Sequence, residues 1–487
     1  MGVRRLGQTR WEDIFRGYDI RGLYPGEIDP VVARRLGRAL GRALPGPFLI
    51  GRDSRRESER FAHELEKGLH FWNARVDLLG VVPTPEVAFL ARRTRGFGLA
   101  VTPSHNAVGY VGLKGFTPSG RLFDREWRTV RDAFRGAFGG ARGRTSPPGS
   151  DRSGFRGRWG SNETFEDEYL THVTQGLESD RSVVLDTRGG ATSRAAPAAL
   201  RRMGARVVEL RKGFSPRFFG ESPEPRPETL TTLSDRVRAV GADLGFAFDG
   251  DGDRCVVLDE RGRWVEPEVI ALLLHRTFAP PRSPIVASID ASRILERKNR
   301  TVRSRVGGRF VARAMQRAGA EVAVEPSGHY YVRRFGADSD GILTACLVSH
   351  ALGKQRVPLS TFSRRIGRIY RGTSTVDFST VIESRHAFQR IVRRLGTRAR
   401  PGLEGVTVDF PEGWCLIRRS NTQPSIRFAY EATGAVPLRR LQRAVLRVAD
   451  LGSPAEVPRT DSNVGGGVRS HPAPTRSPRG RGRDRAR

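Results

Sequence analysis

The sequence predicts an α/β protein of several domains. Short apolar runs that read as strands alternate with stretches of helical apolar spacing. The alternation extends over 487 residues, room for three or four domains at about 150 residues each. It restarts after breaks rich in Gly, Pro and Arg, and each restarted unit contains one short polar segment unlike the others.

In the first unit, residues 1–150, Phe48–Gly51, Leu78–Val82 and Gly98–Val101 read as strands, and Val31–Ala43 and Phe61–Asn73 as helices. Gly136–Ser161 lacks an apolar period and reads as a linker. The second unit, 151–257, has strands at Ser182–Leu185, Ala205–Leu210 and Leu244–Phe248 and a helix at Ala191–Met203. Pro223, Pro225 and Pro227 mark an irregular loop before its last strand. In the third, 258–370, strands Ile285–Ile289 and Glu321–Val324 flank the helical stretch Phe310–Ala318. The fourth, 371–451, carries strands Thr407–Phe410, Cys415–Ile417 and Ser425–Ala429 and then a helix near Leu438–Val448, an α+β order. Residues 452–487 hold eight Arg against three acidic residues among many Gly, Pro and Ser, and are expected to be a disordered basic tail. No 20–50-residue period appears, which argues against a solenoid.

Composition narrows the function classes. Hydrophobic residues make up 38% and glycines number 56, enough for packed cores and against wholesale disorder. Lys+Arg exceed Asp+Glu by 84 − 52 = 32, nearly all through arginine. That charge suits nucleic acid, anionic lipid or phosphorylated substrates, but the arginines are scattered and equally fit a generally basic composition. Cys255, Cys346 and Cys415 form no CxxC spacing, which argues against structural zinc and a disulfide framework. No apolar run reaches 18 residues and no secretory pattern opens the chain, so a soluble cytoplasmic protein without a membrane partner is expected.

The sharpest motif is Asp249-Gly250-Asp251-Gly252-Asp253-Arg254. Three carboxylates at i, i+2 and i+4 converge on a hard divalent cation if the loop curls, and the glycines permit the curl. An EF-hand is a partial match through Glu260, but Arg254 stands where that loop needs glycine, and the flanks read as strands. The second motif, Thr102-Pro103-Ser104-His105-Asn106, follows a strand and places a serine beside a histidine, a nucleophile or phosphoacceptor arrangement without the GxSxG elbow. The third, Glu325-Pro326-Ser327-Gly328-His329, offers hydroxyl-binding acceptors and a titratable ring. The fourth, Arg418-Arg419-Ser420-Asn421-Thr422-Gln423-Pro424 with Arg427 beyond, suits a phosphate. Each of the last three, taken singly, is also compatible with an ordinary polar turn.

Occurring once each, in this order, one per unit, the four motifs resemble the α-D-phosphohexomutase family, which includes phosphomannomutase and phosphoglucomutase. The resemblance spans about residues 13–450 and adds Phe15-Arg16-Gly17-Tyr18-Asp19-Ile20-Arg21-Gly22. Tyr18 and His329 look more like the phosphomannomutase/phosphoglucomutase branch than the phosphoglucosamine branch. The resemblance implies three similar mixed-sheet α/β domains plus a C-terminal α+β domain around a central cleft. It implies that Ser104 carries a phosphoryl group, that Asp249, Asp251 and Asp253 hold Mg²⁺ with an oxygen of that phosphoserine, and that Lys114 transfers protons. Burial and cationic neighbours are expected to lower the Lys114 pKa toward use as a base. His105, Arg21 and His329 are further candidates for proton handling or charge stabilisation. Tyr18, Arg254 and Arg305 are expected at the substrate, Glu325, Ser327 and His329 on the sugar, and Arg418, Ser420, Asn421, Thr422 and Arg427 on its non-reacting phosphate. The implied reaction interconverts hexose 1-phosphate and hexose 6-phosphate, mannose or glucose, with a hexose 1,6-bisphosphate as intermediate and activator. The chain departs from the family at Gly189 in D-T-R-G-G, where an Asn is usual, and at Gly308, where relatives often have His.

Three other readings stand beside this one: a phosphoglucosamine mutase, an inactive scaffold, and a basic nucleic-acid-binding protein. No helix-turn-helix, zinc-finger or RNP pattern supports the last, which leaves weak binding through the tail. A phosphorylated hexose is the expected partner, and monomer and homodimer are both compatible with the sequence.

Overall fold

Four sheets follow one another along the chain. The computed structural model describes residues 14–16, 19–136, 163–336, 338–355, 357–420 and 424–449. The linker expected at Gly136–Ser161 lies outside the described residues except for Gly136, which ends the helix Glu126–Gly136, and so does the tail 452–487.

The first sheet contains β1 (Ile20–Leu23), β2 (Phe48–Arg52), β3 (Val76–Val81), β4 (Phe97–Val101) and β5 (Tyr110–Phe116) in the order β1-β5-β4-β2-β3. The second has β6 (Ser182–Asp186), β7 (Arg206–Glu209), β8 (Leu244–Phe248) and β9 (Cys255–Leu258) in the order β7-β6-β8-β9. The third has β10 (Ile285–Ser288), β11 (Thr301–Ser304), β12 (Val322–Glu325) and β13 (His329–Val332) in the order β11-β10-β12-β13. One pattern is used three times: three parallel strands, then an antiparallel strand that follows the last of them through a short turn. The first sheet extends it with β1, antiparallel to β5. The fourth sheet is antiparallel throughout: β14 (Tyr370–Asp377), β15 (Arg400–Pro401), β16 (Val406–Phe410), β17 (Gly413–Arg419) and β18 (Ser425–Ala432), ordered β14-β18-β17-β16-β15. The expected fold class is the observed one.

Local chemistry explains the elements. Asp29 caps the helix Pro30–Ala43 by accepting from the Val32 amide, and Pro30 supplies a pre-set φ at its start. Strand β8 reads Leu-Gly-Phe-Ala-Phe and is buried throughout, as a strand covered on both faces should be. The helix Gly341–Gln355 is apolar around most of its circumference. It packs in one continuous core with residues of the second and third sheets, among them Phe246, Phe248, Val322 and Val324. In the fourth unit the amphipathic helices Val381–Leu395 and Ala435–Ala449 pack Ile391, Leu441 and Val445 with Val408, Ile417 and Phe428 of the sheet. The helix expected over Ala191–Met203 is divided into a 3₁₀ turn, Ala191–Ser193, and an α-helix, Ala195–Arg202.

The threefold pattern positions the motifs. Ser104 lies in the β4–β5 turn, Asp249–Arg254 in the β8–β9 turn and Glu325–His329 in the β12–β13 turn, the same connection in each sheet. The described part of the fourth motif begins at the end of β17, with Arg418 and Arg419, and its Arg427 lies in β18. Residues of all four units line one cleft of about 820 Å³.

Candidate active site

Ser104 sits at the end of β4 in a left-handed conformation, φ +56°. A non-glycine residue is costly there unless its surroundings hold it. Its amide donates to Thr102 Oγ1 at 2.9 Å, and Thr102 Oγ1 donates to Asp53 Oδ2 at 2.8 Å. The fully buried Arg55 pairs with Asp53, donates to the Ser104 carbonyl at 3.0 Å and to the Asn106 carbonyl, and stacks over Phe218. Arg21 closes the other side of the turn, donating to Pro103 O at 3.0 Å and Asn106 Oδ1 at 2.7 Å. The Ser104 hydroxyl therefore points in one direction, 3.1 Å from Asp249 Oδ2 and 3.2 Å from His105 Nδ1.

The aspartates form the floor. One carboxylate oxygen each of Asp249, Asp251 and Asp253 lies within 4.8 Å of the others. Asp249 and Asp251 are fully buried, and Asp251 Oδ1 has no hydrogen-bond partner among the described residues. Burial first, then the charges of Asp251 and Asp253, pushes the Asp249 carboxyl well above its ordinary range. For Asp253 burial works in the same direction, but Lys114 and His329 outweigh it and hold the carboxyl well below that range. Thr84, at the start of the helix Thr84–Thr94, grips Asp251 twice: its amide donates to the Asp251 carbonyl at 2.9 Å and its hydroxyl to Oδ2 at 2.7 Å. Three carboxylates converging in a buried pocket, with oxygens on Asp251 and Asp253 that have no hydrogen-bond partner among the described residues, fit a hard divalent cation.

Lys114 extends from β5 and bonds Asp251 Oδ2 and Asp253 Oδ2, each at 2.6 Å. Burial alone would lower its pKa, but the two carboxylates reverse the sign and hold the ammonium above its ordinary value. The expectation of a lowered pKa is corrected here: the neighbours that matter are anionic, not cationic. His105 shows the converse. Arg254, whose NH2 lies 2.8 Å from Nδ1, is the main cause of its lowered pKa and burial the second, so the imidazole stays neutral.

The third motif reaches the same floor. His329 Nε2 is 3.3 Å from Asp253 Oδ1, and its Nδ1 is 2.7 Å from the Ser327 hydroxyl. Glu325 is buried and accepts from Tyr331 OH and Gly307 N, each at 2.8 Å. Ser339 ties this motif to the aspartate loop, donating to the Asp253 carbonyl at 2.7 Å and accepting from Tyr330 N at 3.2 Å. Across the cleft, Arg418 of β17 and Arg427 of β18 are directly opposed cross-strand partners. Like charges at opposed positions destabilise a sheet, and an anion between them offsets the cost.

The cleft wall thus includes Arg21, Ser104, His105, Lys114, Asp253, Arg254, Glu325, Ser327, His329, Arg418 and Arg427. Arg305 is not part of it. Its guanidinium stacks over Phe310 and lies 3.6 Å from Glu404, so the structure places the expected substrate contact at a junction of the third and fourth units. Ser420 is also off the wall; its amide donates to Ser425 O at 2.8 Å. Tyr18, Asn421 and Thr422 lie outside the described residues. Arg188 has a structural role: fully buried, it donates to Ser222 O, Thr229 O and Thr229 Oγ1 at 2.8–3.0 Å. It thereby holds the loop from which Glu224 reaches Arg254 at 3.0 Å. A Cβ at Gly308 would stand 3.2 Å from Tyr331 OH, so the wall is tight where relatives often carry a side chain. Arg55, Thr84, Glu224 and Ser339 were not anticipated from the sequence; the Gly51-Arg52-Asp53-Ser54-Arg55 segment after β2 was the available hint for the first.

Comparison with known proteins agrees with this arrangement. Models of the phosphoglucomutase/phosphomannomutase family match in order: α/β/α domain I over residues 12–135, domain II over 167–262, domain III over 268–368 and the C-terminal domain over 383–448. A phosphoglucosamine mutase of Symbiobacterium thermophilum is 32% identical over 453 residues, covering 88% of this chain and 97% of the relative. The chain belongs to the phosphoglucomutase/phosphomannomutase family. A phosphomannomutase/phosphoglucomutase of Pseudomonas syringae pv. tomato is 30% identical over 458 residues, covering 88% and 94% of the two chains. The crystal structure of a family protein from Burkholderia thailandensis superimposes with a TM-score of 0.76 at 25% identity, covering 92% of this chain and 99% of that one. As a phosphohexomutase, the protein is an intramolecular phosphotransferase of the isomerase class. Among the described residues, no helix is long and apolar enough to cross a membrane.

Proposed function

We propose that the protein interconverts hexose 1-phosphate and hexose 6-phosphate through phospho-Ser104 and a hexose 1,6-bisphosphate. One observation carries this reading: the Ser104 hydroxyl, 3.1 Å from a buried aspartate cluster, shares a single cleft with the opposed pair Arg418 and Arg427. A nucleophile on one wall and an anion grip on another suit a substrate with a reacting and a non-reacting phosphate. Asp249, Asp251 and Asp253 would hold Mg²⁺, which supplies charge neutralisation at the transferring phosphoryl group.

Phospho-Ser104 donates its group to the free hydroxyl of the bound sugar, the bisphosphate turns over in the cleft, and Ser104 takes back the other group. Arg55 and Arg21 keep the serine turn fixed while its hydroxyl changes state. Lys114, which bonds Asp251 and Asp253, brings a positive charge to the floor on which the transferring phosphoryl group would sit. Neutral His105 shares its Nδ1 with Arg254, which leaves His329 as the imidazole beside Asp253 to take the sugar hydroxyl proton. Closure of the four units around the intermediate would exclude water and so protect the bisphosphate from hydrolysis.

The test is ³¹P NMR of the protein with Mg²⁺, a trace of hexose 1,6-bisphosphate, and mannose, glucose or glucosamine 1-phosphate. Conversion to a 6-phosphate by wild type but not by Ser104→Ala supports the reading. Silence with every sugar overturns it. Glucosamine 1-phosphate is included because the Symbiobacterium relative is named a phosphoglucosamine mutase.

A further inference from the structure

The carboxylates on the cleft wall are not equivalent. Asp19 is bound to Arg21, Asp253 to Lys114, Glu224 to Arg254 and Glu325 to the Tyr331 hydroxyl, all at 3.0 Å or less. Asp338 also lines the wall, facing the charges of Arg92 and Arg121, whereas Asp290 looks toward the fourth unit. It follows β10 in the third unit, and its Oδ1 accepts from the Ser288 hydroxyl within the same turn. Its Oδ2 faces Arg418 Nη2 of the fourth unit at 3.9 Å, too far for a hydrogen bond and close enough for electrostatic attraction. Arg418 is buried, and its charge is opposed across the strands by Arg427, so the pair attracts any anion within reach. Asp290 is such an anion, anchored on a different unit.

We infer that Asp290 is a built-in competitor for the arginine pair: a tethered carboxylate that partly neutralises Arg418 and Arg427 between substrates and is displaced from them by the sugar's phosphate. The inference rests on the reading of that pair as the phosphate grip. The Ser288 bond fixes the carboxylate so that it cannot close the last ångström to Arg418, which keeps the contact weak and reversible. A mutase of the proposed kind has to let go of the bisphosphate within each cycle so that either phosphate can face Ser104. A grip that binds every species equally tightly lowers KM without adding to turnover. Asp290 offsets part of that uniform binding and supplies an alternative partner when the phosphate leaves. Because it bridges the third and fourth units, it also biases how they meet when the cleft is empty.

The experiment measures binding of inorganic phosphate and of glucose 1-phosphate by calorimetry, and KM and kcat by coupled assay, in wild type, Asp290→Asn, Asp290→Glu and Arg418→Ala. Asp290→Asn is expected to bind both probes about two- to fivefold more tightly, the range of a partly exposed charge pair, with KM lowered and kcat not raised. Asp290→Glu, which keeps the charge, is expected to stay near wild type, and a merely structural lesion would not tighten binding. Unchanged or weaker binding in Asp290→Asn, with Arg418→Ala clearly weakened, overturns the role of Asp290 alone. Unchanged binding in Arg418→Ala overturns the phosphate-grip reading on which it rests.

Discussion

Gly341 opens the helix Gly341–Gln355 directly beneath the metal loop, and its amide donates to the Gly252 carbonyl at 3.0 Å. A Cβ placed there would stand 2.6 Å from the Arg254 carbonyl oxygen and 2.8 Å from the Gly252 carbonyl oxygen. Both are main-chain atoms of the loop that carries Asp251 and Asp253, so no side chain can swing aside. Restoring an ordinary contact of 3.4 Å moves the loop by about 0.8 Å. A displacement of that size costs up to about 100-fold where reacting groups must be aligned, and overpacking of this kind costs about 1–3 kcal/mol of stability. Gly341→Ala is therefore expected to lower kcat by roughly one to two orders of magnitude and to raise the Mg²⁺ concentration needed for half-maximal turnover. The assay is a Mg²⁺ titration of mutase turnover with a thermal melt of the same sample. Gly353→Ala is the internal control: it lies in the same helix, and a Cβ there meets nothing within 4 Å. It should leave turnover alone and stabilise the helix by up to about 1 kcal/mol. Wild-type turnover and Mg²⁺ dependence in Gly341→Ala would refute the claim that this contact positions the metal loop.

Ser104→Ala should lose essentially all mutase turnover with an unchanged melting profile; wild-type activity would remove Ser104 from the reaction. Asp251→Asn removes one charge from the buried cluster and half of the grip on Lys114, so turnover at limiting Mg²⁺ should fall at least tenfold; undiminished activity there counts against the metal assignment. Glu86 is buried, and desolvation first, then Glu166, pushes its carboxyl up to about 8. Because the folded-state value is raised, the folded state is favoured at low pH and loses stability as pH rises from the unfolded value toward 8, by on the order of 1.4 kcal/mol per pH unit across that window. Glu86→Gln should abolish this slope, melting like wild type near pH 4.5 and well above it at pH 8.5; parallel melting curves across that range would show that Glu86 does not ionise as argued.

Much of the fold was legible because its signals are local. The apolar runs at Leu244–Phe248, Ile285–Ile289 and Ser425–Ala429 are bounded by Gly, Pro or polar residues, and strands form at each. Among the strands not anticipated, β5 carries two glycines and Lys114, and β1 has only four residues beside a polar motif. Lys114 is also where reasoning from residue type went astray. Its position ten residues after Ser104 was plain, but its charge state depends on Asp251 and Asp253, more than 130 residues away. The surroundings of Arg305 were likewise not legible: its guanidinium stacks on Phe310 and lies near Glu404, a residue almost 100 positions away.

By itself, the sequence determined the α/β class and the order of four chemical motifs, and it pointed to the serine, the three aspartates and the arginine pair as candidates. Those features reside in contiguous residues whose spacing along a turn or strand sets which groups share a face. Only the tertiary structure decided what surrounds them: Arg55 and Arg21 around the serine turn, Thr84 on Asp251, Ser339 and Gly341 under the metal loop, and Asp290 before the arginines. The direction of a hydroxyl, the charge on a buried ammonium and the strength of an anion grip depend on distances of a few ångström between groups far apart in the chain. Distance sets the Coulomb and desolvation energies, and no local pattern encodes it.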